Sequence, residues 1–398
     1  MNDPVVIVAA ARTPMGAMMG ELSGLAGNQL GTVAIRAVLE RSGLPAKHID
    51  EVIMGCVLPA GQGQAPARQT AVNAGLPLSV SATTVNKVCG SGMKAVMLAH
   101  DMLRAGSAEV VIAGGMESMS NAPYLMQKAR SGYRFGHATV FDHMALDGLE
   151  DAYDKLPNGG GRSMGVLAED CAAKYGFSRE EQDAFAVEST RRARAAAERG
   201  DFAWEIAPVV IPGKGGEVTM ARDESPAKAR PEKIPTLKPA FKKDGTITAA
   251  TSSSVSDGAA ALMLMRRSTA DQLGCTVLAA IAGQASHSQE PQWFTTAPVG
   301  AIAKLLAKTG WTTENVDLFE INEAFAVVTM AAMREHGIAH DKVNVNGGAC
   351  ALGHPIGASG ARLIVTLLAA LKTRGLKRGI ASLCIGGGEA TALAIELA

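Results

Sequence analysis

The chain has 398 residues, 38 of them basic and 38 acidic, so a formal net charge of zero leaves no bulk electrostatic footprint for nucleic acid or an anionic membrane. At about 150 residues per domain the length allows two or three domains, and an aromatic content of only 4% argues for close-packed helices and strands over an aromatic binding platform. No apolar run approaches the ~18 residues of a membrane span, and six scattered cysteines without a CxxC pair point to free thiols in a reducing cytoplasm rather than a disulfide framework or structural zinc.

Taken in order, residues 5–10 form an apolar, β-rich run. Asp3 precedes it and Arg12 follows, which is not the order of a secretion signal, so the run reads as a buried first strand. Residues 31–55 hold an amphipathic helix ending at Gly43, then Asp50, then an apolar strand. Thr83, Thr84 and Val85 read as a strand, 90–105 as a helix and 110–113 as a strand. From 120 to 250 the character changes. That stretch holds Tyr124, Tyr133 and Phe135, a glycine run at 159–161 and charged helical residues around 179–199. Its segment 226–239, with four prolines among lysines, reads as exposed loop. The first pattern then returns: a β-rich run at 277–282, a helix ending at Gly310, then Asp317. A strand at 318–321, a long helix at 357–370 and a strand at 380–385 complete it. Strands alternating with helices predict an α/β fold with mixed, mainly parallel sheets, and the repetition predicts two similar domains. We divide the chain into an N-terminal domain at 1–119, completed by about 251–272, an inserted region at 120–250 and a C-terminal domain at 273–398.

Four short motifs carry chemistry. Cys89, in Val88-Cys89-Gly90-Ser91-Gly92, is expected where a strand turns into a helix. Backbone amides and the helix dipole there would stabilise a thiolate, and the glycines would clear space for substrate. A buried structural cysteine beside a tight turn is an equal reading. His354, between Gly353 and Pro355 in a small-residue loop, is the best general-base candidate among eight histidines, against a core imidazole. Cys384 ends an apolar strand before Gly386-Gly387-Gly388, whose amides can converge on an oxyanion, though Cys384 also fits as a small core residue. Asn322 follows the strand at 318–321 and reads either as a helix N-cap or as a catalytic carboxamide.

Two cysteines, one histidine and one asparagine at strand and loop ends look like thiol-based acyl transfer. In this order, from Val5-Val6-Ile7-Val8 to Cys384-Ile385-Gly386-Gly387-Gly388, they resemble the thiolase family over nearly the whole chain. The resemblance implies a layered αβαβα fold of duplicated domains with an inserted loop domain that binds coenzyme A. It implies an acetyl thioester on Cys89, with His354 taking its proton and then, with a water on Asn322, polarising the thioester oxygen. Cys384 would abstract the α-proton, and the Cys89 and Gly386 amides would form a second oxyanion hole. The matching coenzyme A and acyl positions are Leu149, Met164, Phe241, Ala249, Ser253, Ala324 and Phe325, with Phe294 where some biosynthetic members have methionine. Two departures are Ser163, where the family often has histidine, and Glu389, where methionine is commoner. The implied reaction is reversible condensation of two acetyl-CoA to acetoacetyl-CoA and CoA, with no permanently bound cofactor and no metal. A broader-chain 3-ketoacyl-CoA thiolase of β-oxidation is the alternative. A non-catalytic acyl-CoA-binding relative would be marked by loss of Cys89, His354 or Cys384. The resemblance also implies a homotetramer of two dimers, joined through the loop at 122–137.

Overall fold

The computed structural model describes residues 3–157, 160–213 and 215–398, so Gly159 of the glycine run lies outside the described residues. Among the described residues ten strands form one sheet, nine of them side by side, with Gly16–Ala17 pairing with Ser256 and Asp257 off that path. From one edge the order is Ser81–Val85, Glu51–Gly55, Val110–Ser118, Ser256–Arg266 and Val5–Arg12. It continues through Ala279–Ser288, Glu389–Leu397, Arg378–Ile385 and Leu318–Ile321. Within the sheet the two halves are paired through Val6 opposite Ala280 and Ile7 opposite Ala279. The sheet is mixed, as expected, but its parallel pairings are confined to the flanks, beside Glu51–Gly55 and beside Leu318–Ile321. The middle is antiparallel, which corrects the mainly parallel expectation there. Two connections cause this. Ser256–Arg266 returns from the insertion to run between Val5–Arg12 and Val110–Ser118, and Arg378–Ile385 folds straight back as a hairpin over glycines 386–388. Side-chain alternation cannot reveal either connection.

The repeated sequence unit is a repeated physical unit. Helices Gly27–Ser42 and Ala297–Thr309 both stop at a glycine in the left-handed region, Gly43 at φ 65° and Gly310 at φ 70°. Seven residues on, Asp50 accepts hydrogen bonds from the amides of Glu109 and Val110 at 2.8 and 3.0 Å. Asp317 accepts from Lys377 and Arg378 at 2.9 and 2.8 Å. Each aspartate therefore ties the start of its own strand to the start of the parallel neighbour. This fixes the register on which the site depends.

Helices Ser91–Ala105 and Ile356–Arg374 lie between the half-sheets. Met93, Val96 and Leu103 pack with Ile364, Leu367 and Leu371 and with strand residues Leu262, Leu383 and Ile395. On the outer faces, Leu30, Ile35 and Val38 cover Val52 and Met54, while Ala301 and Leu305 cover Phe319 and Ile321. The layering is αβαβα. Ile356–Arg374, 19 residues long, is apolar enough by length and composition to cross a membrane, contrary to the sequence expectation, but 89% of its most apolar stretch is buried in this core. Where the inner helices cross, a Cβ on Gly92 would lie 2.9 Å from the Ala361 nitrogen, and one on Gly90 would lie 2.3 Å from the Ile385 side chain. These glycines serve close backbone packing and not the clearance of substrate, because both face the protein interior.

The insertion contributes helices Met164–Tyr175 and Arg179–Arg199. The second starts at a capping box, with Ser178 Oγ accepting from the Glu181 amide at 3.2 Å. The segment predicted as exposed loop instead holds a short helix, Glu224–Lys228, and a 3₁₀ helix, Pro231–Thr236. The arm at 122–137 is fastened by Tyr124–Leu125 pairing with Phe141–Asp142, and it leaves Tyr124, Met126 and Phe135 exposed.

Candidate active site

Cys89 sits in the turn between strand Ser81–Val85 and helix Ser91–Ala105, one residue before the N-cap Gly90. Val88, just ahead of it, has φ 46°, a strained value for a β-branched residue. The turn is held by Ser91, whose Oγ accepts from the Lys87 amide at 2.8 Å and donates to the Val88 carbonyl at 2.7 Å. The amides of Gly386 and of Cys89 itself both aim at the sulfur. Even so, burial outweighs them and, helped by the Glu117 charge, pushes the thiol up to about 11. This corrects the expectation of a depressed pKa: at neutral pH the resting group is a thiol, because burial outweighs the two amides.

His354 precedes helix Ile356–Arg374 in irregular backbone, 5% exposed. Its Nδ1 lies 2.6 Å from Ser359 Oγ, and that hydroxyl donates to the Pro355 carbonyl at 2.9 Å. Ser359 must therefore accept from Nδ1–H, which makes Nε2 an acceptor. Burial, with a contribution from Arg362, pushes the imidazole down to about 3, so it is neutral. Asn322 Nδ2 lies 3.4 Å from His354 Nε2, and Asn322 Oδ1 accepts from Arg362 at 3.5 Å. The amide of Asn322 is bonded to the Ser382 carbonyl at 3.0 Å, extending the parallel pairing of Leu318–Ile321 with Arg378–Ile385. Asn322 is not an N-cap, because the helix after it begins at Ala326 with Phe325 in the capping position.

A cavity of about 260 Å³ joins Cys89 and His354, whereas Asn322 is fully buried behind His354 and does not line it. Cys89, His354 and Gly386 line it, together with Leu149, Met164, Phe241, Ser253, Phe294, Ala324 and Phe325. The aromatic wall is ordered: Phe325 meets Phe241 and Phe294 edge-on, with ring centroids 5.8 and 6.5 Å apart. Cys384 does not line the cavity; it is fully buried in the same cluster as Met164, Phe241, Phe294 and Phe325. Burial and the proximity of Cys89 hold its thiol well above the ordinary range. Ala249 is exposed and is not among the residues that line the cavity. Ser163 does line it. A larger cleft of about 380 Å³ among Arg194, Glu198, Arg222 and Asp223 contains no nucleophile.

The sequence reading missed Ser359, Arg362 and Glu117. Glu117 is fully buried, accepts from the amides of Val57 and Leu58 at 2.9 and 3.1 Å and from that of Gly357 at 2.9 Å, and is pushed up to about 7 by burial. It ties the end of strand Glu51–Gly55 to the start of the His354 helix. A carboxylate inside the apolar run Val110–Ser118 was the available signal. Ser359 and Arg362 had none, since nothing local distinguishes the inner face of that helix.

A thiol and a neutral imidazole at one cavity, with paired amides on the sulfur, define an acyl-transfer site working through a thioester. Comparison with known proteins narrows this. Residues 5–268 match the model of the thiolase N-terminal domain and residues 275–397 that of the thiolase C-terminal domain. The chain is 51% identical over 397 residues to an acetyl-CoA acetyltransferase of Pseudomonas aeruginosa, covering 99% of each chain. It is also 51% identical over 396 residues to acetyl-CoA acetyltransferase 2 of Arabidopsis thaliana, covering 99% of this chain and 97% of that one. The crystal structure of the Bacillus anthracis acetyl-CoA acetyltransferase superimposes with a TM-score of 0.96 at 40% identity, covering 100% of this chain and 99% of that one. The chain belongs to the thiolase family.

Proposed function

We propose that the protein is an acetyl-CoA C-acetyltransferase that condenses two acetyl-CoA to acetoacetyl-CoA and CoA, reversibly, through an acetyl-Cys89 thioester. The observation that supports this best is the shared cavity of Cys89 and His354, with the Cys89 and Gly386 amides on the sulfur. In the first half-reaction the Cys89 sulfur attacks the acetyl carbonyl carbon while its proton passes to His354 Nε2. The two amides hold the developing oxyanion, and CoA leaves as a thiol with the proton of Cys384, so Cys384 becomes a thiolate while the Cys89 proton stays on His354 Nε2. In the second, Cys384 removes a proton from the methyl of another acetyl-CoA, whose thioester oxygen is held by His354 and a water on Asn322. The carbanion attacks the acetyl-Cys89 carbonyl and forms the new carbon–carbon bond; the released Cys89 sulfur takes its proton back from His354, and Cys384 is again a thiol. Phe241, Phe294 and Phe325 wall the acyl end and favour a short chain over the long acyl groups of a β-oxidation thiolase.

Separating the cysteines tests this. Cys89→Ala is expected to abolish both acyl-enzyme formation and net turnover. Cys384→Ala should keep part of the transfer onto residue 89 but lose deuterium exchange at the acetyl methyl. Full exchange in Cys384→Ala would refute the assignment. The apolar arm with Tyr124, Met126 and Phe135 exposed supports a tetramer of two dimers. The free cysteines support a reducing, cytoplasmic setting.

A further inference from the structure

The family departure at Glu389 has a partner. Its carboxylate forms a close ion pair with Lys87 Nζ, 302 positions away in sequence, and the two side chains are only 34% and 23% exposed. Lys87 lies two residues before Cys89, and Glu389 lies three residues after Gly386. The pair therefore joins the turn that presents the sulfur to the hairpin that presents the amide. Other contacts make both ends rigid. The Lys87 carbonyl accepts from the Gly90 amide at 3.0 Å and its own amide donates to Ser91 Oγ at 2.8 Å. Glu389 Oε1 accepts from Ser288 Oγ at 3.0 Å, and the Gly388 carbonyl beside it accepts from the Gln289 amide at 2.8 Å. Between these anchors lies the strained Val88, whose side chain packs 3.8 Å from the Cβ position of Gly386.

We propose that Lys87 and Glu389 are positioning residues, a staple that sets the Gly386 amide against the Cys89 sulfur and holds the strained Val88 turn in place. The staple acts mechanically. The groups that shift the thiol are burial, the two amides and Glu117, and neither Lys87 nor Glu389 is among them. Lys94, one turn into the helix, is the second cation facing Glu389. Removing Glu389 therefore breaks the staple more completely than removing Lys87. The inference rests on the acyl-transfer reading of the site, and its test keeps the two apart.

Lys87→Met, Glu389→Gln, the double variant and the charge swap Lys87→Glu/Glu389→Lys are compared with the unaltered enzyme. The readouts are acetoacetyl-CoA thiolysis and the pH profile of Cys89 alkylation by iodoacetamide, followed by peptide mapping. Each single variant is expected to lower kcat by about threefold to tenfold while leaving KM within about twofold, and the double variant to fall no further than Glu389→Gln alone. The swap should recover most of the loss. The alkylation midpoint of Glu389→Gln should rise as the Gly386 amide drifts from the sulfur. Unchanged kcat and midpoint in Glu389→Gln, or losses that multiply in the double variant, overturn the staple. An unaltered enzyme without thiolysis, combined with a midpoint that still rises in Glu389→Gln, overturns the functional reading and leaves the staple standing.

Discussion

At Cys89 two local forces compete, and burial wins over the paired amides, so the nucleophile rests as a thiol. Its alkylation by iodoacetamide should keep accelerating as pH rises toward about 11, and a rate already at plateau below pH 8 would contradict this. His354 is the complementary case. Burial holds its folded pKa near 3, below the 6.5 of a free imidazole, so the unfolded chain binds more protons between those values. The stability contributed by this neutral imidazole is complete above pH 6.5 and is lost as pH falls toward 3. Imidazole nitrogen shifts should accordingly show His354 neutral at pH 5. Ser359 fixes which nitrogen keeps the proton. Ser359→Ala leaves a buried donor unpaired, at a cost of about 1–3 kcal/mol, and should lower kcat by roughly tenfold or more while KM stays near its original value. An unaltered kcat would show that the tautomer is fixed by something else.

At the scale of elements, one helix does several jobs. Ile356–Arg374 brings Ser359 under His354, Arg362 under Asn322 and the Gly357 amide onto Glu117. It can do so because it crosses Ser91–Ala105, the helix that follows Cys89, with almost no separation at Gly92. Gly92→Ala places a methyl 2.9 Å from the Ala361 nitrogen, and the inner helices have to part. The expected result is destabilisation by about 1–3 kcal/mol, read as a lower Tm, together with reduced kcat because Cys89 and His354 ride on opposite sides of that crossing. A variant of normal Tm and activity would show that the crossing has slack. The repeated Gly43/Asp50 and Gly310/Asp317 units show why the duplication was visible in the sequence. Helix stop and strand tie are both made by residues close together in the chain.

The whole molecule assembles the cavity from segments that no single domain contains. Met164 and Phe241 come from the insertion, and Phe294 and Phe325 from the C-terminal half. With Phe241, Phe294 and Phe325 walling a pocket of about 260 Å³, long acyl chains are expected to run into the aromatic wall. A fitting methylene is worth about 0.8 kcal/mol against roughly 1–3 kcal/mol for a clash. Acetoacetyl-CoA is therefore expected to exceed 3-ketodecanoyl-CoA in kcat/KM by at least about tenfold. Phe294→Ala should narrow that ratio; an equal fall for both substrates would mean that Phe294 is simply core. The exposed arm makes a prediction at the same scale: light scattering should give a mass near four times the 41.0 kDa chain, and a single-chain mass would refute the tetramer.

Much of this was already decided along the chain. The duplication, the turn that holds Cys89, the loop that holds His354 and the strand end that holds Asn322 all follow from short-range patterns of glycine, apolar residues and capping groups. The resemblance that those motifs carry named the family. Tertiary structure decided the rest. The antiparallel centre of the sheet depends on a strand returning from the insertion. The high thiol pKa of Cys89 depends on burial and on Glu117, and the tautomer of His354 depends on a serine that nothing nearby in sequence singles out. Ala249 is left outside the cavity, and Cys384 stands behind its wall, because each position is set by packing between distant segments. Local sequence fixes dihedral angles and periodicity, whereas pKa, tautomer and cavity shape are set by what surrounds a group on every side once the chain has folded.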